Sequence, residues 1–104
     1  MTEQFQSKRR LAAIMFTDMV GYSALSQKNE ALALDLLNEH RDLLRKVFAQ
    51  HGGREIEAVG DGFFVEFPSA LAGANCAVEI QRTLHDRKAS QSPDRRIQIR
   101  VGLH

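Results

Sequence analysis

Two stretches of this chain each carry an aspartate at the end of an apolar run, with a glycine close by. The first is IMFTDMVGYS at positions 14–23, which contains Asp18 and Gly21, and the second is VGDGF at positions 59–63, which contains Asp61. Asp-Gly between two β-prone runs is the strongest short-range signal for a hairpin. The two motifs therefore predict two strands that each deliver a carboxylate to the edge of a sheet.

Hydrophobic periodicity predicts four strands and two long helices, in this order: strand 11–17, helix 30–50, strand 55–59, strand 63–67, helix 70–87 and strand 97–103. A further short helix follows the turn at Gly21, and Asn29 and Ser69 are placed to cap the long helices. The order is the split βαβ pattern of an α+β, ferredoxin-like fold, βαββαβ with two helices in the first crossover. We expect an antiparallel sheet in the order 4-1-3-2 with the helices on one face.

Each long helix has a predicted inward face. Along the first, the apolar stripe consists of Leu36, Leu37, His40, Leu43, Leu44, Val47 and Phe48, which share one side of a helix. Along the second, the residues predicted to face inward are Leu71, Ala74, Ala77, Val78 and Leu84. His40 is open to two interpretations, a metal ligand or a hydrogen-bonded buried histidine.

The predicted sheet order brings the two aspartates to one edge. Strands one and three are central antiparallel neighbours, so the end of the first, at Asp18, lies beside the start of the third, at Asp61. Two adjacent carboxylates repel each other, and Mg²⁺ relieves that repulsion because it prefers one or two carboxylates with phosphate oxygens and water. The amides of Gly21, Tyr22 and Ser23 open the short helix, where phosphate is favoured. The residues alone leave two interpretations open, a two-metal phosphate site or a helix cap and an ordinary turn.

Composition narrows the classes of function. The 104 residues suffice for one small domain, and 14 basic against 13 acidic side chains give a net charge of +1, which favours neither nucleic acid nor an anionic membrane surface. Cys76, the single cysteine, fits a reducing compartment and a cytoplasmic location, and a nucleophilic role lacks a histidine at catalytic spacing. No apolar run approaches the ~20 residues of a membrane span. Residues 1–9 are expected to form a flexible lead to a domain over residues 10–104.

Three motifs carry a resemblance to a known family: FTDMVGYS at 16–23, EAVGDGF at 57–63 and IRVGLH at 99–104. Together they resemble the catalytic domain of class III nucleotidyl cyclases, the adenylate and guanylate cyclases. The resemblance implies formation of a 3′,5′-cyclic nucleotide and pyrophosphate from ATP or GTP, in head-to-tail dimers that share the active site. It implies two Mg²⁺ or Mn²⁺ ions held by Asp18, the Met19 carbonyl and Asp61.

The resemblance also implies nucleotide contacts for a set of residues around these ligands: Val20, Gly21, Tyr22, Ser23, Glu57, Val59 and Gly60. Glu57 resembles the guanylate cyclase pattern, where adenylate cyclases usually have lysine, and a carboxylate can accept hydrogen bonds from guanine. The alternative is an exposed strand residue paired with Arg54.

The family domain continues beyond the position of His104, with a strand pair, a helix and a hairpin that carry transition-state groups. We therefore expect this chain to be the N-terminal part of a cyclase domain, inactive or nearly so by itself. Two alternatives stay open, a non-catalytic nucleotide-binding or dimerisation module, and another phosphoryl-transfer domain such as a diguanylate cyclase.

Overall fold

The computed structural model describes residues 13–104, so the predicted lead over residues 1–9 lies outside the described residues. The elements are β1 (Ala13–Met19), α1 (Tyr22–Lys28), α2 (Glu30–Gln50), β2 (Arg54–Val59), β3 (Gly62–Phe67), α3 (Ala70–Lys88) and β4 (Ile99–Leu103), with a 3-10 turn at Pro93–Arg95. Within this part of the chain no helix is long and apolar enough to cross a membrane.

The four strands form one antiparallel sheet in the order β2-β3-β1-β4, which confirms the predicted topology. Strand β1 is central, and it pairs Thr17 with Phe63 of β3 and Asp18 with Arg100 of β4. The first strand was predicted to end at Thr17, but pairing with β4 continues through Met19. Asp18 therefore lies within the strand and not in the turn that follows it.

The helices cover one face of the sheet, and the hydrophobic core lies between the helices and the sheet. The inward side chains of the central strands include Met15, Phe63 and Val65, each at most 1% exposed. Asn29 caps α2 and Ser69 caps α3, each accepting from a first-turn amide as predicted. The side of the sheet away from the helices, here called the open face, carries Ile14, Phe16, Asp18, Phe64, Glu66 and Arg100.

The two long helices differ in how well their inward faces were predicted. The α2 stripe is confirmed, with Leu43 only partly buried. On α3 the prediction was wrong for Leu71, Ala74 and Val78, which are all exposed, Leu71 at 69% and Val78 at 56%. The buried residues of α3 are Gly73, Cys76, Ile80 and Leu84. Small residues face the sheet because the helix approaches it closely: a Cβ on Gly73 would lie 2.8 Å from the side chain of Leu103.

Candidate functional site

A small cleft opens where β1 ends, α1 begins and the β2–β3 hairpin turns. Its volume is about 230 Å³. The residues that line it come from three segments: Asp18, Met19, Gly21, Tyr22, Ser23, Ala24, Asp61 and Arg100. Of the site residues predicted from the sequence, the structure thus brings together both aspartates, Met19 and most of the turn that follows them.

Asp61 is held against β1 by the backbone. The Met19 amide donates a 2.9 Å hydrogen bond to Asp61 Oδ2, a contact between residues 42 positions apart. The following residue, Gly62, lies so close to β1 that a Cβ there would be 1.8 Å from the Thr17 carbonyl oxygen. The Phe63 amide then donates to Thr17 Oγ1 at 3.1 Å. The hairpin can approach β1 at Asp61 because Gly62 has no side chain to clash with Thr17 and because the Thr17 hydroxyl accepts a hydrogen bond from the Phe63 amide.

Asp18 is on the open face, and a cation from the protein already contacts it. Arg100 Nε donates to Asp18 Oδ1 at 2.9 Å, with the two side chains 72% and 46% exposed. This hydrogen bond raises the pKa of Arg100, so the guanidinium is charged at any physiological pH. The sequence reasoning missed Arg100. The alternation of apolar and polar residues along β4 puts Arg100 on the polar side of the strand. Only the pairing register of β4 with β1 shows that Arg100 lies opposite Asp18.

Two carboxylates of the cleft are candidates for contact with a divalent cation. The acidic side chains in the cleft lining are Asp18 and Asp61, which could contact such an ion. Within residues 13–104 no group of three or more histidine, cysteine, aspartate or glutamate side chains that could hold a metal is found. Two carboxylates completed by water and phosphate oxygens are what Mg²⁺ prefers, whereas a closed protein cage suits other ions. The Asp18 carboxylate already contacts one positive group that lines the cleft, the guanidinium of Arg100.

The backbone of the turn between β1 and α1 is accessible at Gly21 and is not covered by a capping side chain. Gly21 adopts φ 74°, a left-handed conformation, and a Cβ there would meet nothing within 4 Å. Helix α1 begins at Tyr22 with no side-chain cap, so its first amides are not bonded by a capping oxygen. Val20 is separated from this group, since its amide donates to the Gln98 carbonyl and its side chain lines a different cavity, beside α3.

Glu57 lies on the open face because of a β-bulge. Glu55 pairs with Val65, but Glu57 pairs with the adjacent Phe64, so Ile56 is an extra residue in β2. In a regular strand, residues two apart point to one side. The bulge instead sends Glu55 towards α2 and Glu57 towards the face that carries Phe64.

Besides Val20, three of the predicted nucleotide contacts do not line the cleft: Glu57, Val59 and Gly60. The predicted alternative partner of Glu57, Arg54, is ion-paired with Glu66 across the hairpin. Glu57 is exposed, and no ion pair joins it to another of residues 13–104.

His40 and Cys76 are buried and do not line the cleft. His40 is fully buried, its Nδ1 lies 2.9 Å from the Leu37 carbonyl oxygen, and burial lowers its pKa. This is the hydrogen-bonded buried histidine of the two predicted interpretations. Burial raises the pKa of the Cys76 thiol to about 11, which excludes an activated nucleophile.

Comparison with known proteins identifies the family. Residues 5–104 match the adenylate and guanylate cyclase catalytic domain. The chain belongs to this family. The Rhizobium meliloti (strain 1021) protein Putative adenylate cyclase 3 is 37% identical over 98 residues, and a receptor-type guanylate cyclase of Caenorhabditis elegans is 26% identical over 113 residues. The matches cover 93% and 98% of this chain but 17% and 10% of those proteins.

A solved structure supports the same assignment. The adenylate/guanylate cyclase/hydrolase from Silicibacter pomeroyi superposes with a TM-score of 0.78 at 38% identity. The superposition covers 90% of this chain and 55% of that one. The cyclase-domain chain described here thus spans about half of its structural relative and a smaller share of the curated ones.

Proposed function

We propose that this chain is the metal-binding part of a nucleotidyl cyclase that converts ATP or GTP into a 3′,5′-cyclic nucleotide and pyrophosphate. The observation that carries the proposal is the hydrogen bond from the Met19 amide to Asp61, because it puts the second carboxylate beside the residue that follows Asp18. In this reaction the ribose 3′-oxygen bonds to the α-phosphorus and loses its proton. The bond from the α-phosphorus to the oxygen bridging to the β-phosphate breaks, and pyrophosphate leaves.

Two Mg²⁺ or Mn²⁺ ions would be held by Asp18, Asp61 and the Met19 carbonyl oxygen. When bound, they supply positive charge for the attacking and leaving oxygens of an in-line displacement. The protein fixes Asp61 in advance through the Met19 amide, which leaves Oδ1 of Asp61 without that contact. With a cation bound, Asp18 would contact it in place of Arg100, whose guanidinium could then face a phosphate oxygen.

The turn from Val20 to Ser23 would receive the phosphates. Gly21 permits close approach because its backbone is bare on the open side, and the first amides of α1 point out of the helix. The lining of the cleft supports this role for Gly21, Tyr22 and Ser23. Val20 contributes through its position in the turn, since its side chain belongs to another cavity.

Glu57 would select the base, and Val59 and Gly60 would lie along the nucleotide between that base and Asp61. A carboxylate accepts hydrogen bonds from guanine N1–H and N2–H₂, whereas adenine N1 is itself an acceptor. The exposed position of Glu57 on the open face therefore favours GTP. ATP is the alternative, and the relatives include cyclases named for each nucleotide.

A head-to-tail homodimer would complete the site on the open face. Phe16 and Phe64 form an edge-to-face pair there with ring centroids 4.7 Å apart, although they are 40% and 38% exposed. Exposed apolar side chains around charged site residues are typical of a surface that a partner covers. Sedimentation of wild type and Phe64→Ser tests this: we expect the variant to be more monomeric, and equal masses would contradict it.

The proposal is tested by Mn²⁺-dependent binding of non-reactive ATP and GTP analogues to the chain. We expect Asp18→Asn and Asp61→Asn to reduce binding by about 100-fold or more, because even groups that only orient a metal ligand change metal affinity by about 10–100-fold. Asp86→Asn, an exposed aspartate of α3, is the matched control and leaves binding unchanged. Unchanged binding in both site variants would contradict the proposal, and binding without cyclic product from a longer chain would favour a non-catalytic module.

A further inference from the structure

The turn that carries Asp61 is held by a helix that contributes no residue to the cleft. Strand β2 is at the edge of the sheet, and it pairs only with β3. The turn between them, Gly60 and Asp61, lies beyond the last pair of β1 with β3, Thr17 with Phe63, so strand pairing alone does not fix the Gly60–Asp61 peptide unit. Two arginines of α2 reach across to this hairpin.

Arg41 contacts the turn itself. Its Nη2 donates to the Gly60 carbonyl oxygen at 2.9 Å. This oxygen belongs to the peptide unit that joins Gly60 to Asp61, so the contact fixes the orientation of that unit. The Arg41 Nε is buried without a hydrogen-bond partner within the described residues, so the side chain is packed down and not extended into water.

Arg45, one helical turn further along α2, contacts the same hairpin at another point. It makes a two-point ion pair with Glu55 of β2, at 2.9 and 3.1 Å, and its guanidinium lies 5.3 Å from the centroid of the Phe63 ring. Residues four apart lie on one face of a helix, so both arginines belong to one surface. Arg45 holds the body of the hairpin, whereas Arg41 holds its tip.

We propose that Arg41 is a positioning residue for Asp61, which it holds at the metal site through the Gly60 carbonyl. The proposal rests on the proposed function, because it treats Asp61 as a metal ligand. Asp61 is then held from both sides, its carboxylate by the Met19 amide and its peptide unit by α2. Groups that orient a metal ligand typically affect metal affinity by about 10–100-fold.

The sign of the effect separates positioning from simple charge. Removal of a guanidinium near a metal site lowers the local positive charge, and by Coulomb attraction alone it strengthens binding of a cation. Loss of positioning weakens it. Arg41→Met is therefore expected to bind Mn²⁺ about tenfold more weakly, measured by electron paramagnetic resonance of free Mn²⁺. Arg45→Met is the matched control, since it removes the same charge from the same helix face and keeps wild-type affinity within about twofold.

A second measurement does not depend on the metal. Backbone ¹⁵N relaxation should give lower order parameters at positions 60–62 in Arg41→Met than in wild type, with no change there in Arg45→Met. Wild-type Mn²⁺ affinity and wild-type order in Arg41→Met would overturn the positioning role. If wild type and Asp61→Asn bind Mn²⁺ equally, the proposed function fails, while a loss of order in Arg41→Met still supports the contact between α2 and the turn.

Discussion

The two aspartates of the cleft are held in different ways. Asp61 is on a turn whose position the protein determines several times over, through the Met19 amide, the contact of Arg41 with Gly60 and the close approach of Gly62 to β1. Asp18 is on a regular strand, and its only described side-chain partner is an arginine that is itself 72% exposed. One carboxylate is fixed by backbone contacts, and the other is neutralised by an exchangeable charge.

For the proposed metal site, this difference implies that the two aspartates have different roles. Building a carboxylate into a fixed position lowers the cost of arranging the ligands when the cation arrives. Leaving the second carboxylate paired with a charged side chain avoids repulsion between the two acids while the cation is absent. Variants near Asp61 and near Asp18 test this difference, and their expected effects differ in size.

The largest effect is expected at Gly62. In Gly62→Ala the new methyl would lie 1.8 Å from the Thr17 carbonyl oxygen, so β3 must move away from β1. We expect a loss of about 3 kcal/mol in the free energy of unfolding, measured by chemical denaturation. Gly102→Ala is the matched control, because a Cβ there meets nothing within 4 Å, and its stability should stay within about 0.5 kcal/mol of wild type. Equal stabilities of the two variants would contradict the close approach at Asp61.

A smaller effect is expected on the pH dependence of stability, through His40, which is buried near Asp61. His40 packs against Phe63, with ring centroids 5.6 Å apart, and burial lowers its pKa from the ordinary 6.5. Asp61 opposes this lowering, whereas Arg41 and Arg45 reinforce it. At a pH above the pKa that His40 has in the unfolded chain, the ring is neutral in both states and the free energy of unfolding is not reduced by its titration. As the pH falls below it, the unfolded chain takes up a proton that the folded protein resists, so stability is lost.

The variant His40→Leu removes this titration. We expect its free energy of unfolding to fall less steeply than that of wild type between about pH 7.5 and about pH 5. The other three histidines are the same in both proteins, so the difference in slope reports His40. Parallel curves would show that the buried ring does not resist protonation.

The smallest effect is expected on the Asp18 side. Arg100→Met frees Asp18 from its ion pair, so Mn²⁺ alone should bind about threefold more tightly, in keeping with the modest strength of exposed pairs. Binding of the nucleotide analogue with Mn²⁺ should weaken, because a cation that faces the phosphates is lost. The control is Arg82→Met, which breaks an exposed pair with Glu79 on α3 and should change neither affinity. A change of both affinities in the same direction would contradict the exchange of partners.

The fold could be predicted from the sequence because its signals are local. The hairpin at Asp61, the caps at Asn29 and Ser69 and the periodic strands indicated the element order, and the split βαβ pattern then determined the sheet. The α3 face was predicted only in part. Leu84 is buried as predicted, but Leu71, Ala74 and Val78 are exposed. The helix is instead turned so that Gly73, Cys76 and Ile80 face the core, with Gly73 at a close approach to β4.

The site was predicted only where its residues belong to motifs. Asp18 and Asp61 followed from topology, but Arg41 and Arg100 approach them through register and helix orientation, which no local pattern encodes. The bulge at Ile56 is of the same kind, since it reverses the side on which Glu57 lies without a signature in the sequence.

The central claim is that one bound cation contacts both aspartates, and paramagnetic broadening by Mn²⁺ tests it most directly. In ¹H–¹⁵N spectra of the chain, small additions of Mn²⁺ should broaden the amide signals of Met19 and Gly62 together. The signals of Gly52 and Ala70, at the other end of the sheet, should stay sharp. Broadening at only one of the first two, or at Mn²⁺ concentrations that differ between them, would contradict a shared site.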